Sequence, residues 1–288
     1  MNVKAYKSTQ VRKAVMDSYS LMLEHWEVPF QERDLETSFG TTHVIESGDK
    51  QNPPLVLLHG GGGNSTMWFP NIAALTQHFK IYAVDIVGEM GKSDDTRLSY
   101  TTDDYPNWLG EVFHELSLSR SHLLGTSLGA TLSIQFAIRT PEFIDQLVLV
   151  APPSLEKMNT GFILRGLLSA LFPTSSITKS FYRYITSPNS VQPPAWALED
   201  QVVRSKAQRL NLNAIPVVTE EDLSKLPEST LLILGKDDRI YSIDAAVNKV
   251  KKAAPQVTIA VIENAGHVVT VEQPEIFAKT FFEFMNLA

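Results

Sequence analysis

The chain contains no cysteine among its 288 residues. Disulfide staples, thiolate metal sites and a cysteine nucleophile are therefore excluded. Long apolar runs are missing as well. The greasiest stretch, GFILRGLLSALF from Gly161 to Phe172, is too short to span a bilayer and carries Arg165. The opening segment, MNVKAYKSTQVRKAVMDSYSLMLEHW, lacks the apolar centre of a secretory leader. Val11, Val15, Tyr19, Met22 and Trp26 recur there at helical spacing instead. They predict an amphipathic helix over about residues 8–26, ended by Pro29. A soluble, cytoplasmic protein is the resulting expectation.

Excess positive charge is also absent: 25 Lys and Arg stand against 32 Asp and Glu, a formal net charge of -7. With no basic cluster to form a phosphate-binding stripe, nucleic acid is not an expected partner. There is no His-Glu-x-x-His run and the seven histidines are scattered, so no metal is expected. No Gly-x-Gly-x-x-Gly follows a strand candidate. HGGGGNST lacks the Gly-Lys-Ser/Thr ending of a phosphate loop, and the glycines of GEMGKS are too closely spaced for one. No cofactor is expected.

What is present is a regular alternation. PPLVLLHG (Pro53–Gly60), IYAVDI (Ile81–Ile86), SHLLGTS (Ser121–Ser127), QLVLVAP (Gln146–Pro152), TLLILG (Thr230–Gly235) and VTIAVIE (Val257–Glu263) are apolar on both faces, as buried parallel strands require. THVIES (Thr42–Ser47) suggests antiparallel edge strands before them. Helical patterns lie between, near Met67–His78, Asp103–Leu118, Leu128–Arg139, Ile243–Ala254 and Pro274–Asn286, with Asp103 or Asp104 as a cap for the second. This predicts a mostly parallel, doubly wound α/β sheet. The rhythm breaks between Pro153 and Ser229, where no strand is evident. Helical patterns at Phe162–Phe172, Ile177–Ile185 and Trp196–Leu210 predict a helical insertion packed over the sheet's carboxyl edge.

One serine stands out. Gly125-Thr126-Ser127-Leu128-Gly129 sits where a strand gives way to a helix within a few residues. A Gly-x-Ser-x-Gly pentapeptide alone is weak, but strand before and helix after is the context that lifts such a serine out of the sheet. A residue in strained geometry at the tip draws its neighbours two places away together, and only glycine fits there.

At these residues the chain resembles the α/β-hydrolase family, with Ser127 in the nucleophile elbow. The likeness runs from about Thr42 to the C-terminus and several segments fall in family order. VLLHGGGGNSTMW resembles the oxyanion loop, VDIVGEMGKSDD the loop after the next strand (one residue longer here), LILGKDDRI the strand end bearing the acid, and NAGHVVTVEQPEIF the histidine loop. The resemblance implies a serine hydrolase, carboxylesterase-like, with core segments 1–152 and 230–288 and a helical cap at 153–229. A serine hydroxyl needs a base, and His267 sits on a glycine-containing loop at the sheet edge where Ser127 lies. His59 is its rival, but the family histidine at that place is usually structural. The acid must orient the imidazole. Of Asp237 and Asp238, the family spacing from Gly235 selects Asp238. Asp85, at another strand end, is expected to anchor a loop. The oxyanion donors implied are the amides of Leu128 and Gly61, with Gly62 the alternative to Gly61.

Met67, Trp68 and Thr126 are the candidate substrate contacts. Phe162, Leu167, Leu171, Phe172, Phe181, Tyr182, Tyr184 and Trp196 are apolar residues of the insertion that either line a pocket or glue it to the core. A small or medium, largely apolar ester is the expected substrate. Lactonase, thioesterase or carbon–carbon hydrolase chemistry are alternatives on the same fold. The last usually has a Trp soon after the histidine, where this chain reads His267-Val268-Val269. A ligand receptor with little turnover is the alternative of another class, since a fold does not guarantee an activity.

Overall fold

Runs that are apolar at every position need cover on both sides, and the fold provides it for all but VTIAVIE, which forms an edge strand and leaves Val261 37% exposed because no further strand flanks it. The computed structural model describes residues 3–211 and 213–287. Helix α1 (Thr9–Leu23) precedes a hairpin of β1 (Phe30–Thr37) and β2 (Gly40–Ser47). Then come β3 (Pro54–Leu58), α2 (Ile72–Leu75), β4 (Lys80–Val84), α3 (Asp104–Glu115), β5 (Ser121–Thr126), α4 (Leu128–Ala137) and β6 (Ile144–Val150). Four helices follow before the next strand: α5 (Thr160–Leu171), α6 (Ser175–Ile185), α7 (Ala195–Ala207) and α8 (Glu220–Ser224). The chain closes with β7 (Thr230–Gly235), α9 (Ile243–Ala253), β8 (Thr258–Ile262), α10 (Val269–Glu272) and α11 (Pro274–Phe284).

The strands form one sheet in the order β1-β2-β4-β3-β5-β6-β7-β8. The β1–β2 and β2–β4 pairings are antiparallel and the remainder parallel. Neighbouring residues on a strand point to opposite faces. Val56 and Leu58 accordingly join Trp108, Phe113 and Phe136 in one core, while Leu55 and Leu57 join Trp68, Phe79 and Phe281 in the other. This is the doubly wound α/β-hydrolase architecture expected, with the carboxyl ends of β3, β5, β7 and β8 at one edge.

Two local expectations need correction, and one helix was not expected. The helix anticipated over Met67–His78 is a 3-10 turn, Ser65–Trp68, followed by the single turn α2. Pro70 lies between them, where its ring and missing N–H break the run. Asp103 occupies the N-cap position of α3 but makes no capping bond. Its carboxylate pairs with Arg139 at 2.7 Å instead. Helix α8 was not foreseen; Thr219 caps it by accepting from the Asp222 amide.

The four helices between β6 and β7 are tied through α7 to the N-terminal segment. Residues just before α1 bridge two distant segments: Ala5 N–H donates to the Asp95 carbonyl at 2.7 Å, and Lys7 N–H to that of Ala207 at 3.0 Å. Trp196, at the start of α7, stacks on His25 at 3.7 Å. That makes it glue between the insertion and the N-terminal segment. Phe162 packs on Phe181 at 5.7 Å, and Tyr182 is buried. Leu167, Leu171 and Phe172, by contrast, are 40%, 55% and 58% exposed. On α5 the small Gly166 and Ser169 face inward instead. No helix among the described residues is long and apolar enough to cross a membrane.

Two glycine-to-alanine exchanges should move stability in opposite directions. A Cβ on Gly235 would overlap the carbonyl oxygens of Gly266 and Ala265, so Gly235→Ala is expected to cost about 3 kcal/mol or more. A Cβ on Gly110, inside α3, meets only the Phe136 ring edge at 3.9 Å. Gly110→Ala is expected to add about 0.5–1 kcal/mol. Urea unfolding checks both; a Gly235→Ala protein as stable as the parent would refute the packing account.

Candidate active site

Strand β5 passes into helix α4 through one residue, Ser127, whose φ is 50° and ψ is -116°. A non-glycine residue there stores about 1–3 kcal/mol of strain, tolerated where the surroundings over-determine it. They do so here. Ser127 N–H donates to the Val150 carbonyl at 2.8 Å, and Gly129 N–H to that of His59 at 3.0 Å. A Cβ on Gly125 would strike the Gly129 carbonyl, as the pentapeptide suggested. The clash at Gly129 differs: its Cβ would strike the carbonyls of Leu58 and His59. The second glycine therefore lets α4 approach β3, not only its partner glycine.

The loops after β7 and β8 meet this turn. Ser127 Oγ lies 2.8 Å from His267 Nε2, and His267 Nδ1 lies 2.7 Å from Asp238 Oδ2. Asp238 Oδ1 accepts the Ile240 amide at 2.8 Å, so both carboxylate oxygens are engaged. Asp238 and His267 are 7% and 6% exposed, which keeps water from competing for the pair. An ionised carboxylate accepts only, so the partners assign the ring proton to Nδ1 and leave Nε2 facing the serine hydroxyl. Asp237 turns away, its Oδ2 accepting the Ser187 hydroxyl at 2.6 Å. His267 N–H donates to the Ile185 carbonyl at the end of α6, at 2.7 Å.

His59 takes no part in this cluster. It is fully buried, its Nδ1 on the Gly60 carbonyl at 2.8 Å and its Nε2 accepting the Ile86 amide at 2.9 Å. Burial pushes its pKa down, which favours that neutral, bridging form. Asp85 likewise anchors loops, accepting the amides of Ser65 and Lys92, both at 2.7 Å. Among the four glycines after His59, Gly63 N–H closes a turn onto the Gly60 carbonyl at 3.0 Å. Gly62 N–H is taken by Glu89 Oε2 at 2.6 Å. Among the described residues the amides of Gly61 and Leu128 donate to no protein acceptor, and a Cβ on Gly61 would lie 3.6 Å from that of Leu128. Of the alternatives Gly61 and Gly62, only Gly61 therefore keeps a free donor beside Leu128.

The remaining candidates separate. Thr126 ends β5 beside Ser127 and is 1% exposed; Met67 is half-buried. Trp68 is fully buried in the core with Leu57 and Phe79 and offers no wall to a substrate. The expectation of Trp68 as a contact is corrected: it ends the 3-10 turn with its side chain in the core.

Residues 55–280 match the model of the Alpha/beta hydrolase family. The chain belongs to that family. The hydrolase is 33% identical to an uncharacterized carboxylesterase, nap, of Bacillus subtilis, over 93% of this chain and 91% of that one. It is 30% identical to the carboxylesterase YbfK of the same organism, over 93% and 92%. Its fold is similar to the crystal structure of naproxen esterase from Bacillus subtilis, with a TM-score of 0.87, 32% identity, and coverage of 97% of this chain and 100% of that one.

One buried residue of the hydrolase escaped the sequence reading. Glu272, in α10, is fully buried. Its Oε2 accepts the amides of Ser187 and Gly266 at 2.6 and 2.9 Å, and its Oε1 accepts that of Val268 at 2.9 Å. It thus grips the backbone on either side of His267. The only signal was a lone carboxylate in the apolar run VVTVEQ. Burial raises its pKa from 4.5, against the pull of those three amides. Glu272→Gln keeps two acceptor contacts but turns an NH2 toward the Val268 amide. It should cost about 1–3 kcal/mol and lower kcat. A raised folded-state pKa means that this group's contribution to stability falls as pH rises from 4.5 through the folded value. The stability gap between parent and variant should therefore be widest at the acid end of that window. Urea unfolding at several pH values measures the gap, and the opposite trend would refute the assignment.

Proposed function

We propose that this hydrolase is a carboxylesterase acting on small to medium, largely apolar esters through an acyl-enzyme on Ser127. The observation that carries the reading is the unbroken hydrogen-bond chain from Asp238 through His267 to Ser127, at 2.7 and 2.8 Å. The carboxylesterase relatives, alike over more than nine-tenths of the chain, support the bond type.

Ser127 Oγ attacks the ester carbonyl carbon as its proton passes to His267 Nε2. Asp238 Oδ2, on the opposite ring nitrogen, stabilises the imidazolium. Charge building on the carbonyl oxygen is received by the amides of Gly61 and Leu128, the latter at the positive end of α4. Collapse breaks the C–O bond, and the alcohol departs with the proton from Nε2. Water then attacks the acyl carbon while Nε2 takes its proton. The second collapse frees the acid and returns the proton to Ser127.

In this reading residues 153–229 cap a core of 1–152 and 230–288. Support comes from the bond between His267 N–H and the Ile185 carbonyl, and from Gly266, where a Cβ would strike that same carbonyl. Met67, half-buried on the turn that follows the glycine loop, is the substrate contact of this reading; Thr126, 1% exposed, backs the nucleophile turn instead.

A fluorophosphonate probe should label Ser127, located by peptide mass, and p-nitrophenyl butyrate should be hydrolysed with a burst. Ser127→Ala should abolish both. Asp238→Asn should lower kcat about 10⁴-fold, whereas Asp237→Asn should change it little. An unlabelled Ser127, or a Ser127→Ala protein that still turns over, sinks the reading. The receptor alternative expects no release at any acyl length.

A further inference from the structure

Four glycines in a row, Gly60 to Gly63, have no side chains with which to hold their own shape. The Gly63-to-Gly60 hydrogen bond closes a turn with Gly62 at its third position, where φ is +67°. That is the position at which a type II turn needs a positive φ. The peptide between Gly61 and Gly62 is the one that flips between turn types, so its orientation needs external support.

The turn receives it on both sides of Gly62. Glu89 Oε2 accepts the Gly62 N–H of that peptide, and Arg204 Nη1 holds the next one by donating to the Gly62 carbonyl, each at 2.6 Å, so the turn is clamped from both flanks. Glu89 comes from the loop after β4 and is 2% exposed. Arg204 comes from α7 of the insertion, with a side chain 15% exposed. Arg204 is itself aimed: its Nε donates to Asp200 Oδ2 at 2.7 Å, one turn earlier on α7. Asp200, whose side chain is 2% exposed, accepts the Ser18 hydroxyl on its other oxygen at 2.7 Å. Ser18 lies on α1. A continuous line of bonds therefore leads from the N-terminal helix, through α7, to the glycine turn. Charge-assisted bonds of this kind are the stronger class and set geometry as well as energy.

We propose that Arg204, aimed by Asp200 and Ser18 and opposed by Glu89, is a positioning residue that fixes the glycine turn so that the Gly61 amide meets the oxyanion. The N-terminal helix and the insertion thereby help to set the rate of ester cleavage. This rests on the reading of Ser127 as nucleophile and Gly61 as donor. Arg204 touches no substrate; it acts through Gly62. Losing an oxyanion donor outright costs about 10²–10³ in turnover, and displacing one by about 1 Å costs up to 10².

The test uses the full-length protein with p-nitrophenyl butyrate. Arg204→Met should lower kcat about 10- to 100-fold with KM changed less than about twofold, because the carbonyl oxygen needs the donor most when charged. Affinity for a boronic-acid analogue of the tetrahedral intermediate should fall in parallel. Arg204→Lys, which restores a cation but not the fork, should recover part of the loss. Ser18→Ala should lower kcat a few-fold in the parent and not further in the Arg204→Met background, as expected of residues acting in series. Circular dichroism and fluorophosphonate titration correct each rate for folded, labelled protein. If the parent is not labelled at Ser127, the reading of the site fails and the proposal with it. If it is labelled and Arg204→Met keeps the parent kcat, or Ser18→Ala slows both backgrounds equally, the proposal alone is overturned.

Discussion

Backbone must touch backbone at the carboxyl edge of this sheet before any side chain there can meet another. Gly129 brings α4 against the carbonyls of Leu58 and His59, and Gly235 brings the end of β7 against the carbonyls of Ala265 and Gly266. Gly266 in turn lies on the Ile185 carbonyl. At each place a methyl group would intrude on a polar atom that has nowhere to move. These contacts draw loops from β5, β7 and β8 together. Only then do residues 127, 238 and 267 come within hydrogen-bonding reach.

Much of this was legible in the sequence because it depends on short-range rules. Strands buried on both faces must be apolar at every position, and those runs marked β3 to β8 closely. The turn at Ser127 was readable because glycine is demanded by geometry that no other residue satisfies. The expected fold, and the pairing of His267 with Ser127 and Asp238, follow from such signals together with the order of the segments. The orientation of helical faces was less legible. Pro70 split one anticipated helix, and the turn before it sent Trp68 into the core. On α5 the aliphatic side chains face outward while glycine and serine face in, the reverse of the usual pattern.

Least visible were the carboxylates that hold loops rather than perform chemistry. Asp85 was readable as a loop anchor from its place at a strand end, but Glu89 and Glu272 were not, and each accepts two or three backbone or hydroxyl donors while nearly or wholly buried. Backbone amides leave no trace in composition or spacing, so their partners cannot be found by pattern. Arg204 and Ser18 pose the same difficulty over a longer distance: they share a line of bonds only because α1 and α7 pack side by side. A lone acid within an apolar run is the nearest thing to a sequence signal, and it does not say which loop it holds.

The hydrogen bond from His267 N–H to the Ile185 carbonyl ties the imidazole-bearing loop to a foreign helix end. A chimaera that exchanges residues 153–229 for those of a relative would thus set a new helix end against the His267 loop. Such grafts should be cut so that residues 185 and 186 stay with the recipient, and the junction placed further along the chain.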